Sequence, residues 1–287
     1  MKQSFYALPF AAFFLALSAS SCQQSSSDSG VHEINDTVEA VSSRVQLPPV
    51  AIVPVGTSPE FPKAQLAIAS AKGVAQGADS VKVSFAFSVK NYELKGQTPD
   101  AGSKNCNNSD KGQHIHFILD NQPYVALYEP KHEITLAKNT EHYLMCFLSR
   151  SYHESVKSKG AATVYHFKID EQGKLVKLDD PKTPMLFYSR PKGDYLGKDT
   201  ANLLLDFYVW NANLGANYKV KTMVSNSSNA QQKEMLIDTW QPMFIQNLGT
   251  GKASVSLTLV DKDGNDVQGP MTKVSRNIQM AAQEPLQ

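Results

Sequence analysis

Apolar side chains recur at every second position along several segments of the chain. Val81, Val83, Phe85, Phe87 and Val89 alternate with more polar neighbours, as do Ile115, Phe117 and Leu119, and Val255, Leu257 and Leu259. A period of two puts one face of a strand on a core and turns the other towards water. Turn-forming residues separate these runs, at Asp120-Asn121, at Lys138-Asn139 and from Asp261 to Asn265. Beyond residue 60 no stretch has convincing helical periodicity, so the pattern predicts an all-β protein.

The pattern also repeats. Lys72-Gly73, followed by Gly77-x-Asp79-Ser80, returns as Lys192-Gly193, followed by Gly197-x-Asp199-Thr200. Phe87, Val89, Asn91 and Leu94 match Phe207, Val209, Asn211 and Leu214 at the same offset. An insertion from Lys95 to Gln113 then shifts the register, and the run His114 to Leu119 faces Lys219 to Val224. Each copy holds about seven short strands in roughly 100–115 residues, which predicts two tandem immunoglobulin-like β-sandwiches. The expected bounds are 61–170 for the first sandwich and 181–281 for the second. The shared Lys-Gly and Gly-x-Asp elements read as turns entering a strand.

The N-terminus carries an address. Lys2 precedes an apolar run from Phe5 to Leu17, the length of a signal-peptide core and too short for a membrane span. The run ends in Ala19-Ser20-Ser21-Cys22, which resembles the bacterial lipoprotein box despite Ala19 where a Leu is usual. That resemblance implies a signal over residues 1–21, acylation of Cys22, palmitate among the chains, and anchoring in a bilayer. An ordinary secretion signal is the alternative. No Asp follows the Cys, which by the same resemblance points to the outer membrane of a bacterial cell envelope. The Ser/Gln-rich stretch after it and the prolines from Pro48 to Pro62 predict an anchor and flexible stalk over residues 22–60.

Composition narrows the function classes. Of 287 residues, 41% are hydrophobic and 19% charged, which suits a packed core and not a disordered chain. The 28 basic and 27 acidic side chains give a net charge of +1, which argues against a nucleic-acid partner. No Gly-x-Ser-x-Gly elbow, no His-Glu-x-x-His and no phosphate-cradling glycine loop occurs. A non-enzymatic binding or accessory lipoprotein is the expectation, partnered by an envelope protein or a small ligand.

Six of the seven histidines lie between His114 and His166, and the second copy retains none of them. His114 and His116 leave the same face of one strand, roughly 7 Å apart. Imidazole suits copper and zinc, so the pair could begin a metal site, with His153 completing it and His142 or Glu154 as further candidates. A solvated strand face is the other reading. No cofactor is required by the sequence. A second set, Arg150, Tyr152 and Arg190 with Lys192 and Tyr195, could bind a carboxylate or phosphate if the copies stack end to end. The same arginines could instead bridge the domains through Asp or Glu. Cys106 and Cys146 are expected to form a disulfide in an oxidising compartment, with two unlinked thiols as the alternative.

The segments Asp120-Asn121-x-Pro123-Tyr124, Ser149 to Ser155, Tyr188 to Gly193 and Leu204 to Tyr208 resemble a group of bacterial secreted proteins and lipoproteins with tandem immunoglobulin-like domains. The first copy is also similar to a small bacterial domain with paired His in one strand. The resemblance implies the sandwich fold and no particular activity.

Overall fold

The structure is a computed structural model that describes residues 47–283. The signal, Cys22 and the first part of the stalk lie outside the described residues. Within them the chain is built of strands, with two short 3-10 turns at Ala101–Ser103 and Gly197–Thr200 and no α-helix. No helix there is long and apolar enough to cross a membrane.

Strand β1 (Ala51–Pro54) precedes the first copy. That copy holds β2 (Gln65–Gln76), β3 (Ser80–Lys90), β4 (His114–Leu119), β5 (Val125–Leu127), β6 (Lys131–Ala137), β7 (Thr140–Ser149), β8 (Ala162–Ile169) and β9 (Leu175–Lys177). They form two sheets, β2-β3-β6 and β5-β4-β7-β8-β9. The second copy holds β10 (Met185–Arg190), β11 (Gly193–Leu196), β12 (Leu203–Trp210), β13 (Tyr218–Asn226), β14 (Gln232–Ile237), β15 (Met243–Gln246), β16 (Gly251–Asp261) and β17 (Lys273–Ala281). Its sheets are β1-β15-β12-β10 and β11-β17-β16-β13-β14. The duplication read from the sequence is therefore also one of topology. β3, β4, β6, β7 and β8 occupy the places of β12, β13, β15, β16 and β17.

The copies differ in their first strand. β2 pairs with β3 along its whole length, whereas its counterpart splits. β10 pairs with β12, and β11 crosses to the other sheet and runs parallel to β17. The break falls at Pro191, which has no N–H to continue a ladder.

Two expected boundaries need correction. Residues 51–54 are not stalk: β1 pairs antiparallel with β15, from Ala51 opposite Gln246 to Pro54 opposite Met243. Val50 and Ile52 are buried in the second copy's core. The second sandwich thus takes its edge strand from upstream of the first. The proline-rich composition that suggested an extended stalk is equally the composition of an edge strand, where a missing N–H is tolerated. The first copy also runs past residue 170, because β9 adds an edge to β8.

Each sandwich has its own apolar core. In the first, Val81, Val83, Phe85 and Phe87 of β3 face Ile115 and Phe117 of β4. In the second, Leu203, Leu205, Phe207 and Val209 of β12 face Val255, Leu257 and Leu259 of β16. A third cluster joins the copies, with Ile118, Met145, Phe147 and Val164 from the first packed on Met185, Phe187 and Tyr208 from the second. These residues occupy the outer faces of β4, β7 and β8 and of β10 and β12. The copies therefore pack sheet face on sheet face, not end to end. Every residue of β10 is buried, as are the first five of β4 and the last six of β7. Strands covered on both faces lose the in/out alternation and read as continuous apolar runs.

Candidate metal centre at the junction of the two copies

β4 divides its side chains between two surfaces. Ile115 and Phe117 enter the core of the first sandwich, and His114, His116 and Ile118 point into the junction. Both histidines are completely buried. The expectation of a solvated strand face is overturned, because the second copy covers it.

His153 arrives from the turn between β7 and β8. Arg150 N–H donates to the Glu154 carbonyl at 2.8 Å and His153 N–H donates to the Arg150 carbonyl at 2.9 Å. His153 sits at φ +70, a left-handed conformation uncommon for a residue with a Cβ. This turn carries its imidazole back over β4. His114 Nε2 is 2.9 Å from His116 Nε2 and 3.2 Å from His153 Nδ1. One ligand nitrogen from each of the three lies within 4.8 Å of the other two. Donors bonded to one tetrahedral ion at 2.0–2.1 Å stand about 3.3 Å apart. Two of the three nitrogen separations are close to this value, and the third is within 4.8 Å.

The outer contacts orient the rings. His114 Nδ1 donates to the Gly112 carbonyl at 2.8 Å, so its Nε2 carries the lone pair. Gly112 is required there: it lies at φ +79, and a Cβ would fall 2.2 Å from the Lys95 carbonyl oxygen. His116 Nδ1 is 2.9 Å from Ser189 Oγ of the second copy. Carbonyl and hydroxyl partners of this kind commonly hold metal-ligating imidazoles. The His114 Nε2 lone pair faces two neighbouring ring nitrogens and can accept a proton from only one at a time. A bound cation would serve all three together.

Burial sets the charge state. It pulls His114 down to about 4, against the Gly112 carbonyl and with help from Arg190 and Lys192. Burial likewise holds His116 and His153 well below the usual imidazole range, and the neighbouring imidazoles and cations add to it. All three are neutral at pH 7, the form that ligates metal.

Around them is a cationic, aromatic shell. The Tyr124 ring stacks on His116 at 3.6 Å between centroids, and its hydroxyl is 3.2 Å from His153 Nδ1. Lys192 Nζ lies 4.1 Å from the centre of the Tyr124 ring and donates to the Tyr124 carbonyl at 2.6 Å. Arg190 Cζ lies 5.4 Å from the same ring, and one of its nitrogens donates to Tyr195 Oη at 3.0 Å. Arg190 is buried, and its Nε has no hydrogen-bond partner. Among the described residues neither Arg190 nor Lys192 has a carboxylate within 4.0 Å. Burial, then Arg190, lowers Lys192 to about 8.

The side chains of the other expected site residues have partners of their own. Arg150 pairs with Glu154 at 2.9 Å and donates to the carbonyls of Pro59 and Ser155, each at 3.1 Å. It clamps the segment before β2, and its partners are not those of Arg190, which bonds Tyr195. Tyr152 is buried with its hydroxyl 3.4 Å from Asp100 Oδ2 in the insertion. His142 is taken by Asp120 at 2.7 Å, and Glu154 by Arg150 and Ser58.

The expected disulfide is also absent: Cys106 and Cys146 are both free. Cys146 lies opposite Phe117 in the ladder and points into the first core. Cys106 lies in the insertion and lines a cleft with Lys198, Asp199 and Asn202 of the second copy. The two thiols are thus committed to different surroundings. Burial, then Glu154, pushes the Cys106 thiol up to about 12. Three contributors escaped the sequence reading. The Gly112 carbonyl carries no chemical signature, and Tyr124 and Ser189 stood out only within the segments that carry the resemblance.

No protein-family model matches the chain, and no curated protein does. Solved structures with some likeness include the fibronectin(III)-like modules of CbhA from Clostridium thermocellum, at 12% identity and TM-score 0.27 over 78% of this chain and 98% of that one. The two tandem V-type regions of the chitin-binding protein VCBP3 match at 7% identity and TM-score 0.23, over 76% of this chain and 99% of that one. A central fibronectin-III array of RIM-binding protein matches at 9% identity and TM-score 0.23, over 81% and 73%. At these scores the likeness carries no argument, and the assignment of two immunoglobulin-like sandwiches rests on strand order and pairing.

Proposed function

We propose that this protein is a non-enzymatic envelope lipoprotein that binds a transition-metal ion through His114, His116 and His153. The carrying observation is the meeting of three buried, neutral imidazoles from two separated segments, with nitrogens 2.9 and 3.2 Å apart. Two of them have a second hydrogen-bonding partner that fixes the ring. Because Ser189 belongs to the second copy, the ion would also tie the sandwiches together. Copper and zinc are the metals this ligand type favours. The small-residue box before Cys22 supports a lipid anchor, and two or more acyl chains would hold the protein stably on a bilayer. Delivery of the metal to, or its removal from, an envelope partner fits such a tethered protein.

The test is metal analysis of the untagged protein, with melting temperature followed as copper or zinc is added. Close to one equivalent and a raised melting temperature are expected for wild type, and loss of both for His116→Ala and His153→Ala. Sub-stoichiometric metal with no thermal shift refutes the metal reading. The anchor is tested separately by Cys22→Ser, which should move the protein from the membrane to the soluble fraction.

A further inference from the structure

The charges around the three histidines restrict which ion they can hold. The ligand set is neutral, and the nearest fixed charges are both positive. Lys192 Nζ is 4.1 Å from the Tyr124 ring, which in turn stacks 3.6 Å from His116. The ammonium is therefore within about 8 Å of the His116 ring, a range over which charges interact strongly in a protein interior. Arg190 approaches the same Tyr124 ring and is not ion-paired among the described residues. Repulsion from each cation is twice as large for a divalent ion as for a monovalent one. The cost of dehydrating the ion rises still more steeply with its charge.

Coordination number points the same way. Zinc in protein sites takes four ligands, or three with an open position for water. Here three donors converge, and none of the three residues is more than 7% exposed. Monovalent copper is content with three imidazoles in a plane and needs no anion.

We infer that the junction is a monovalent-copper site, holding Cu(I) in preference to Zn(II), with Lys192 and Arg190 as the residues that set this preference. The inference rests on the metal reading of the same three histidines. It goes beyond that reading by naming the ion and two selectivity residues that do not touch it.

The experiment measures Cu(I) affinity of the untagged protein at pH 7 under anaerobic conditions, against bathocuproine disulfonate. Zn(II) affinity is measured against a chromophoric chelator. Cu(I) should bind more tightly than Zn(II), with about tenfold of the difference coming from the two cations together, at about threefold each, since the repulsion Cu(I) meets is half as large. Lys192→Gln removes one charge, so its gain in Zn(II) affinity should be the square of its gain for Cu(I): about tenfold against about threefold. Lys192→Arg should restore wild-type values. Lys192 is half-buried, and far-ultraviolet circular dichroism with a melting curve verifies the fold of both variants.

Equal affinity for the two ions, or equal gains in Lys192→Gln, overturns the copper preference and leaves the metal site standing. Zn(II) binding that appears only with added bicarbonate or phosphate also overturns it, since an anion would then supply the missing charge. Failure of wild type to bind either ion overturns the site itself.

Discussion

Asp206 makes a buried polar tie between the two copies. It lies on β12, on the face turned to the first sandwich, and its side chain is fully buried. Oδ1 accepts from Lys157 Nζ at 2.8 Å and from Ser155 Oγ at 2.8 Å, and Oδ2 accepts from the Ser155 backbone N–H at 3.2 Å. Lys157 also lies 5.5 Å from the centre of the Trp240 ring. Asp206→Ala removes the acceptor and leaves three donors behind. Breaking one side of a buried ion pair costs about 3–5 kcal/mol, because the partner charge stays uncompensated. Lys157 is 18% exposed and can turn part-way to water, so the lower end, about 3 kcal/mol, is expected. For a chain of this size that is a fall of about 6–12 °C in melting temperature. Calorimetry should show it, with the transition broadening relative to wild type as the copies uncouple. Replacing Lys157 together with Asp206 should recover much of the loss. The exposed Lys82–Glu133 pair is the control, and Glu133→Ala should leave the melting temperature unchanged. A shift for Asp206→Ala no larger than that of the control would refute the argument that this contact couples the sandwiches.

Three further outcomes follow from the geometry. In the metal-free protein His114 titrates at about 4 when folded and near 6.5 when unfolded, so the unfolded chain binds more protons between those values. Stability is then complete above pH 6.5, falls as the pH drops below it, and levels off under about 4. His114 alone contributes a loss of about 2 kcal/mol by pH 5, and a melting temperature unchanged from pH 7.5 to pH 5 would contradict it. Ile52→Asp should destabilise the second sandwich by more than about 2 kcal/mol by inserting a charge into its core, although the residue precedes the first. Wild-type urea denaturation of this variant would show that β1 does not belong to that core. Denatured, non-reduced Cys22→Ser protein should titrate two thiols, from Cys106 and Cys146, and a count of zero would restore the disulfide.

Much of the fold was legible along the chain. The period-two runs mark strands such as β3 and β16, and the repeat pairs the first sandwich with the second. Strand geometry alone puts His114 and His116 on one face. It does not say what lies opposite that face, because alternation is a local property and burial on the second side comes from residues far along the chain. Ser189, which meets His116, is 73 positions away, and His153 is 39 from His114. The continuous apolar runs of β7, β10 and β12 were the available sign that both of their faces are covered. Tertiary packing also decided between the two arginines. Arg150 met Glu154 and Pro59 at the end of β7, and Arg190 was left beside the histidines without a carboxylate. It separated the cysteines for the same reason, since Cys146 follows the inward face of its strand and Cys106 follows a loop that leans on the second copy. Residue type and spacing determine which way a side chain leaves its strand, and only the assembled sandwiches determine what it meets there.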